Sequence, residues 1–168
     1  MAQSFLLVDA HNVIFARPDL AALHRRSPAA AREKLLQILQ GLQDAGDTRV
    51  VVVFDGGSEK KAESATSGQA GVQIFYARGA DEVIERLVAK YAATHRLTVA
   101  TNDNLIRTAA LAAGASTISV DQLFAEIEKS EKEVSQVLAK LRRKGGCATR
   151  ADGLVPSDGN RPYPRRGV

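Results

Sequence analysis

A single cysteine, Cys147, stands in the 168-residue chain, which excludes an intramolecular disulfide and a zinc site built on several cysteines. No apolar run approaches the roughly 20 residues that a membrane span requires. The apolar stretch Phe5-Leu6-Leu7-Val8 before Asp9 is too short for a signal-peptide core, so a cytoplasmic protein without a membrane partner is expected. Neither a G-x-G-x-x-G nor a P-loop sequence occurs, which removes the common glycine-rich phosphate cradles. No His/Cys spacing suggests zinc, and no Ser–His–Asp arrangement is legible.

What is present is ordinary globular composition, 45% hydrophobic and 25% charged, with a net charge of +4 and a pI near 9.4. The length fits one domain plus an appendage. The positive charge is unevenly placed. From Arg142 to Val168 there are seven Lys and Arg against two Asp, a local +5, which leaves the first 141 residues at −1. The reading is therefore a domain over residues 1–144 and a basic, disordered tail over 145–168, rich in Gly and Pro and without periodicity.

Four apolar runs read as buried strands: Phe5–Val8, Val50–Phe54, Val72–Tyr76 and Leu97–Ala100, with Ser116–Val120 as a weaker fifth. Helical patterns separate most of them. Ser27-Pro28 reads as an N-cap and first helical residue, Leu35, Ile38, Leu39 and Leu42 follow at helical spacing, and Gly46 is the expected stop. Ile84, Leu87, Val88 and Tyr91 repeat the spacing, and Asn104–Ala113 is a short Ala-rich helix closed by Gly114. Asp121–Lys144 reads as helix in two pieces, with Ser130 and Glu133 at capping-box spacing. The polar segment Gly56–Gly71 reads as a mobile loop. Strand–helix alternation predicts a doubly wound α/β domain, three layers deep, around a parallel sheet.

In such a sheet, ligands bind beyond the carboxyl ends of the strands. Asp9 and Asp55 directly follow the first two strands, Asp81 opens the helix after the third, and Asp103 lies just past the fourth. Glu85 is one helical turn after Asp81, on the same face. Taken singly, Asp81 reads as a helix cap, Asp103 equally as a cap or turn residue or as a site residue, and Asp55, before Gly56-Gly57, as a turn residue. Glu85 reads equally as a solvated residue pairing with Arg86 or Lys90. Asp9 is harder to explain that way, because a buried strand seldom ends in Asp merely to turn. Like charges gathered at one edge repel, and a hard cation such as Mg²⁺ or Mn²⁺ resolves the conflict through oxygen ligands. His11 reads either as a loop residue or as facing substrate, His24 beside Arg25-Arg26 as basic surface, and His95 as a helix-end residue.

The series Leu6-Leu7-Val8-Asp9-Ala10-His11-Asn12-Val13-Ile14, Val51–Asp55, Gly79-Ala80-Asp81-Glu82-Val83-Ile84-Glu85 and Val99-Ala100-Thr101-Asn102-Asp103 resembles the NYN domain, in its YacP-like branch among the PIN-like nucleases. The resemblance runs from about Phe5 to Leu141. It implies a parallel α/β/α sandwich and a metal-dependent endoribonuclease, with Asp9, Asp81 and Asp103 as catalytic, metal-binding acids and Mg²⁺ or Mn²⁺ as cofactor. Asn12 would steady the first loop, Asp55 would line the cleft, and Glu85 would be an outer metal residue or stand behind the direct ligands. Ala10 and His11 occupy positions where that family usually carries a glycine and an aromatic residue. The implied partner is RNA, whether mRNA, tRNA or rRNA, free or ribosome-bound. Arg142, Arg143, Lys144, Arg150, Arg161, Arg165 and Arg166 would form a flexible basic arm that attracts it.

Three other classes fit less well, one of them a receiver-like signalling domain, which would carry an adjacent acidic pair near the end of the first strand that this chain lacks. A non-catalytic RNA-binding module of the same fold would be expected to lose the acids, and all four aspartates are present. An aspartyl phosphatase usually needs a second carboxylate two residues after the first, where this chain has His11.

Overall fold

The computed structural model describes residues 3–56, 66–67 and 71–145. Its centre is a sheet of five parallel strands, β1 (Ser4–Asp9), β2 (Arg49–Asp55), β4 (Gln73–Ala77), β5 (Arg96–Ala100) and β6 (Ser116–Ile118). A two-residue strand, β3 (Thr66–Ser67), pairs antiparallel with the outer edge of β4. The spatial order is β3-β4-β2-β1-β5-β6. The chain moves outward from β1 through β2 to β4, then crosses back to β5 on the other side. That reversal leaves a switch point between β1 and β5, where open α/β sheets bind their ligands.

Alternate residues of the central strands serve opposite faces, which is why the strands are apolar throughout. Leu6, Val8, Val50, Val52 and Phe54 pack with Val13, Ile14, Leu20, Leu35, Leu39, Leu123, Phe124 and Ile127. These come from α1 (Ala10–Ala16), α2 (Pro18–Arg26), α3 (Pro28–Asp44) and α6 (Val120–Gly145). Leu7, Val51, Val53, Leu97 and Val99 face α4 (Ala80–Tyr91) and α5 (Asn104–Ala112) through Val83, Ile84, Val88, Ile106 and Ala110. The predicted three layers are present. Each large apolar side chain withdrawn from water contributes about 1.5–3 kcal/mol, so the two interfaces hold the strand ends in fixed register.

The cap at Ser27 forms as expected, its hydroxyl oxygen accepting from the Ala30 N–H at 3.3 Å. Ser27→Ala is expected to cost about 1 kcal/mol and to lower the melting temperature by roughly 2–4 °C, measurable by thermal denaturation.

Several expectations change. Two helices, α1 and α2, precede the first one expected, because α1 starts directly on the last residue of β1 and has only seven residues. The fifth strand ends at Ile118, and Val120 already belongs to α6. That helix runs unbroken to Gly145: no Gly or Pro interrupts Val120–Lys144, and the capping-box spacing at Ser130 does not restart it. Arg142, Arg143 and Lys144 therefore sit in the last turn of a helix rather than in a flexible arm. Arg150, Arg161, Arg165 and Arg166 lie outside the described residues, as does most of the Gly56–Gly71 segment, apart from the small strand β3. No helix among the described residues is long and apolar enough to cross a membrane.

Candidate active site

The register between β1 and β5 pairs Val8 with Ala100, so the next residues, Asp9 and Thr101, stand side by side at the switch point. Both are buried, Asp9 at 3% exposure and Thr101 at 0%, and among the described residues they are the buried polar side chains of the domain. Asp9 is the N-cap of α1. Its Oδ1 accepts from the Asn12 N–H at 3.3 Å and its Oδ2 from the Thr101 hydroxyl at 3.4 Å. Both contacts are long and come from neutral donors, so they offset little of the cost of burying a charge.

Burial lifts the Asp9 carboxyl above its ordinary value, and the negative charge of Asp81 adds to the rise. The Asn12 N–H, the nearby His11 and the Thr101 hydroxyl pull in the other direction without cancelling it. The pair of acids thus meets electrostatically across the sheet edge, from the end of β1 and the first turn of α4.

Asp81 reaches this position through the β4–α4 junction. Gly79, the N-cap of α4, has φ +78°, a conformation that suits glycine, and its N–H donates to Asp55 Oδ1 at 3.2 Å. Asp55 thereby ties the end of β2 to the loop that carries Asp81. The cap position expected of Asp81 is occupied by Gly79 instead, and Asp81 is an exposed first-turn residue. Glu85 is exposed one turn further along α4.

Asp103 does act as a cap. Its Oδ1 accepts from the N–H groups of Leu105 at 2.7 Å and Ile106 at 3.3 Å, opening α5. Its own N–H donates to Thr101 Oγ1 at 3.1 Å. Thr101 therefore links the carboxylate of Asp9 to the backbone of Asp103. Asn12 completes the bracing, its Oδ1 accepting from the Asn102 N–H at 2.9 Å, while Asn102 Oδ1 accepts from the Val120 N–H at 3.0 Å at the start of α6.

Sequence reasoning assigns no role to Thr101 or Asn102. The available signal is a hydroxyl residue closing the apolar run Leu97–Ala100, one register step beyond the partner of Val8. His11 lies on the exposed side of α1 near Asp9. His95 is at the opposite end of the sheet, its ring edge-on to Phe5 and Tyr91 and its Nδ1 2.8 Å from Thr94 Oγ1.

The donor set available to a cation is all carboxylate, hydroxyl and amide oxygen, which suits Mg²⁺ or Mn²⁺ better than a softer metal. Among the described residues no group of three or more His, Cys, Asp or Glu side chains is gathered tightly enough to cage an ion. A Mg²⁺ site needs only one or two direct carboxylates, because the ion retains most of its waters. Asp9 and Asp81, which interact electrostatically, are two carboxylates of the kind such a site uses.

A doubly wound domain with a buried acid at its switch point belongs to the class of α/β proteins whose sheet edge is the usual place for a ligand. The family model of the YacP-like NYN domain matches residues 6–153, and the chain belongs to that family, which is of nuclease type. It is 33% identical over 139 residues to the uncharacterized protein YacP of Bacillus subtilis (strain 168), covering 81% of this chain and 82% of that protein. It is also similar to two crystal structures of Rae1 (YacP) from Bacillus subtilis. One superposes with a TM-score of 0.69 at 31% identity, over 85% of this chain and 84% of the other. The second, of a Trp-to-Leu mutant of that protein, gives 0.68 at 30% identity, over 83% of each chain.

Proposed function

We propose that the protein is a metal-dependent endoribonuclease that hydrolyses RNA phosphodiester bonds at the Asp9–Asp81–Asp103 edge. The observation that carries this reading is the state of Asp9. A carboxylate is held in the core at the switch point, raised in proton affinity by burial and by Asp81, and given only weak neutral donors. Such an arrangement is costly unless a cation repays it. Membership of a nuclease-type family supports the same conclusion.

Asp9 and Asp81 would hold Mg²⁺ or Mn²⁺, and the Asp103 oxygen not used in capping α5 would face the same edge. A divalent ion bound there would supply a more acidic water and charge stabilisation at the scissile phosphate. The chain's own contribution is positional. Thr101 fixes the Asp9 carboxylate and the Asp103 backbone together, Asn12 joins the first loop to Asn102, and Asp55 anchors the loop leading to Asp81. These neutral contacts hold the acid-bearing segments together without placing a positive charge beside them. RNA is the proposed substrate, and Glu85 would act at a distance by adding negative potential beside Asp81.

Saturating Mn²⁺ is expected to raise the melting temperature, since an ion held by the folded site stabilises by about 2.7 kcal/mol at a hundred times its dissociation constant. The increase should vanish in an Asp9→Asn, Asp81→Asn double variant. Equal shifts in the two proteins would place the ion elsewhere and remove the metal from this site.

A further inference from the structure

The outward face of α1 carries a feature that the acidic site does not use. Ala10, Val13 and Ile14 form its buried side, and His11 and Phe15, four residues apart, share the opposite side. Phe15 is 50% exposed. Its ring centroid is 4.5 Å from that of His11, tilted by 39°, and 5.0 Å from that of His24 on α2, edge-on at 62°. Three rings from two helices thus form one surface cluster that begins two residues after Asp9. Arg25 and Arg26 follow His24 in the exposed last turn of α2. Arg17, at the junction of the two helices, lays its guanidinium 4.1 Å from the centre of the Phe124 ring and fixes that junction against α6.

A half-exposed phenyl ring held between two imidazoles is a poor way to close a helix pair, since α1 already buries three apolar residues. It is a good way to present a π-face. Unpaired bases stack on such faces with little regard to sequence, and neighbouring cations contact the phosphates. Phe15 lies about 9 Å along the helix axis from Asp9, six residues at roughly 1.5 Å each, within reach of a nucleotide adjoining one bound at the acids.

We propose that His11, Phe15 and His24 form a stacking platform for an unpaired base of the RNA strand entering the Asp9 edge, with Arg25 and Arg26 contacting its phosphates. This rests on the reading of the site as an RNA-cleaving one, and it makes single-stranded RNA the preferred substrate. Paired bases are already stacked within the duplex and gain nothing from the platform.

The test uses the full chain carrying Asp9→Asn, so that the RNA survives, and a short single-stranded oligoribonucleotide containing 2-aminopurine, with a duplex of the same sequence as control. Single-strand binding should quench the 2-aminopurine fluorescence. Adding Phe15→Ala should weaken single-strand binding about tenfold, within the range for loss of one stacked base, and abolish the quenching while leaving duplex binding unchanged. Phe15→Leu, which keeps apolar volume without a π-face, should behave like Phe15→Ala, and Phe15→Trp should retain both affinity and quenching. Undiminished binding and quenching in Phe15→Ala and Phe15→Leu would overturn the platform and leave the nuclease reading standing. Equal losses on single strand and duplex would assign Phe15 a packing role and overturn it too. Failure of the Phe15-intact protein to bind either RNA would overturn the platform together with RNA as the substrate.

Discussion

Asp9→Asn is expected to lower metal-dependent RNA cleavage by more than about 100-fold while the metal-free protein becomes more stable. The activity bound follows from comparison: residues that merely orient metal ligands typically cost about 10–100-fold when replaced, and Asp9 is itself the proposed ligand. The stability gain follows from its environment. The neutral amide still offers an oxygen to the Asn12 N–H, and the Thr101 hydroxyl can turn to accept from the amide nitrogen. The burial cost of the charge and its repulsion by Asp81 both disappear. The sign of the pH dependence is the reverse of that for a salt-bridged acid. The folded state binds the Asp9 proton more tightly than the unfolded chain does. Metal-free stability therefore increases as pH falls through the raised folded value, and levels off below the ordinary value of 3.8. Above that window the full cost of the buried charge remains. Thermal melting of the parent and Asp9→Asn proteins in EDTA across this range should show a pH-dependent gap that closes at low pH.

Asn12→Ala should reduce cleavage by about 10–100-fold, through kcat, with KM changing little. Its side-chain oxygen is engaged by the Asn102 N–H and not by a proposed ligand. It acts by accepting from Asn102, whose side chain in turn holds the start of α6. Removing the acceptor frees the Asp9 loop from the segment carrying Asp103, so the two acids lose mutual alignment. The stability cost should be only about 1 kcal/mol, because Asn102 is exposed and water can replace the lost oxygen. A disproportionate loss of kcat over stability distinguishes this positioning role from simple unfolding, and steady-state kinetics beside a melting curve measures both.

Much of this site is legible without its geometry. The apolar runs at Phe5–Val8, Val50–Phe54 and Leu97–Ala100 announce strands buried on both faces, and each is followed within a few residues by an aspartate. What stays hidden depends on pairing between distant segments. Thr101 matters because β5 lies beside β1 in a register that sets it against Asp9, 92 positions away. Asn102 looks like a loop residue until α6 is seen to start on its side chain. The helix α1 is too short for a periodic signal, so Phe15 shows no face until α2 folds His24 against it. The unbroken α6 reflects a local rule yielding to another: a capping-box spacing restarts a helix only where something has first ended it, and no breaker precedes Ser130.

The most direct test of the central claim follows the cleavage of single-stranded RNA by the purified 168-residue chain in Mg²⁺ or Mn²⁺ and in EDTA. Products cut within the strand should appear with either metal ion, vanish in EDTA, and return when the ion is restored in excess. Undiminished cutting in EDTA, or intact RNA under every metal condition with a folded protein, would contradict it.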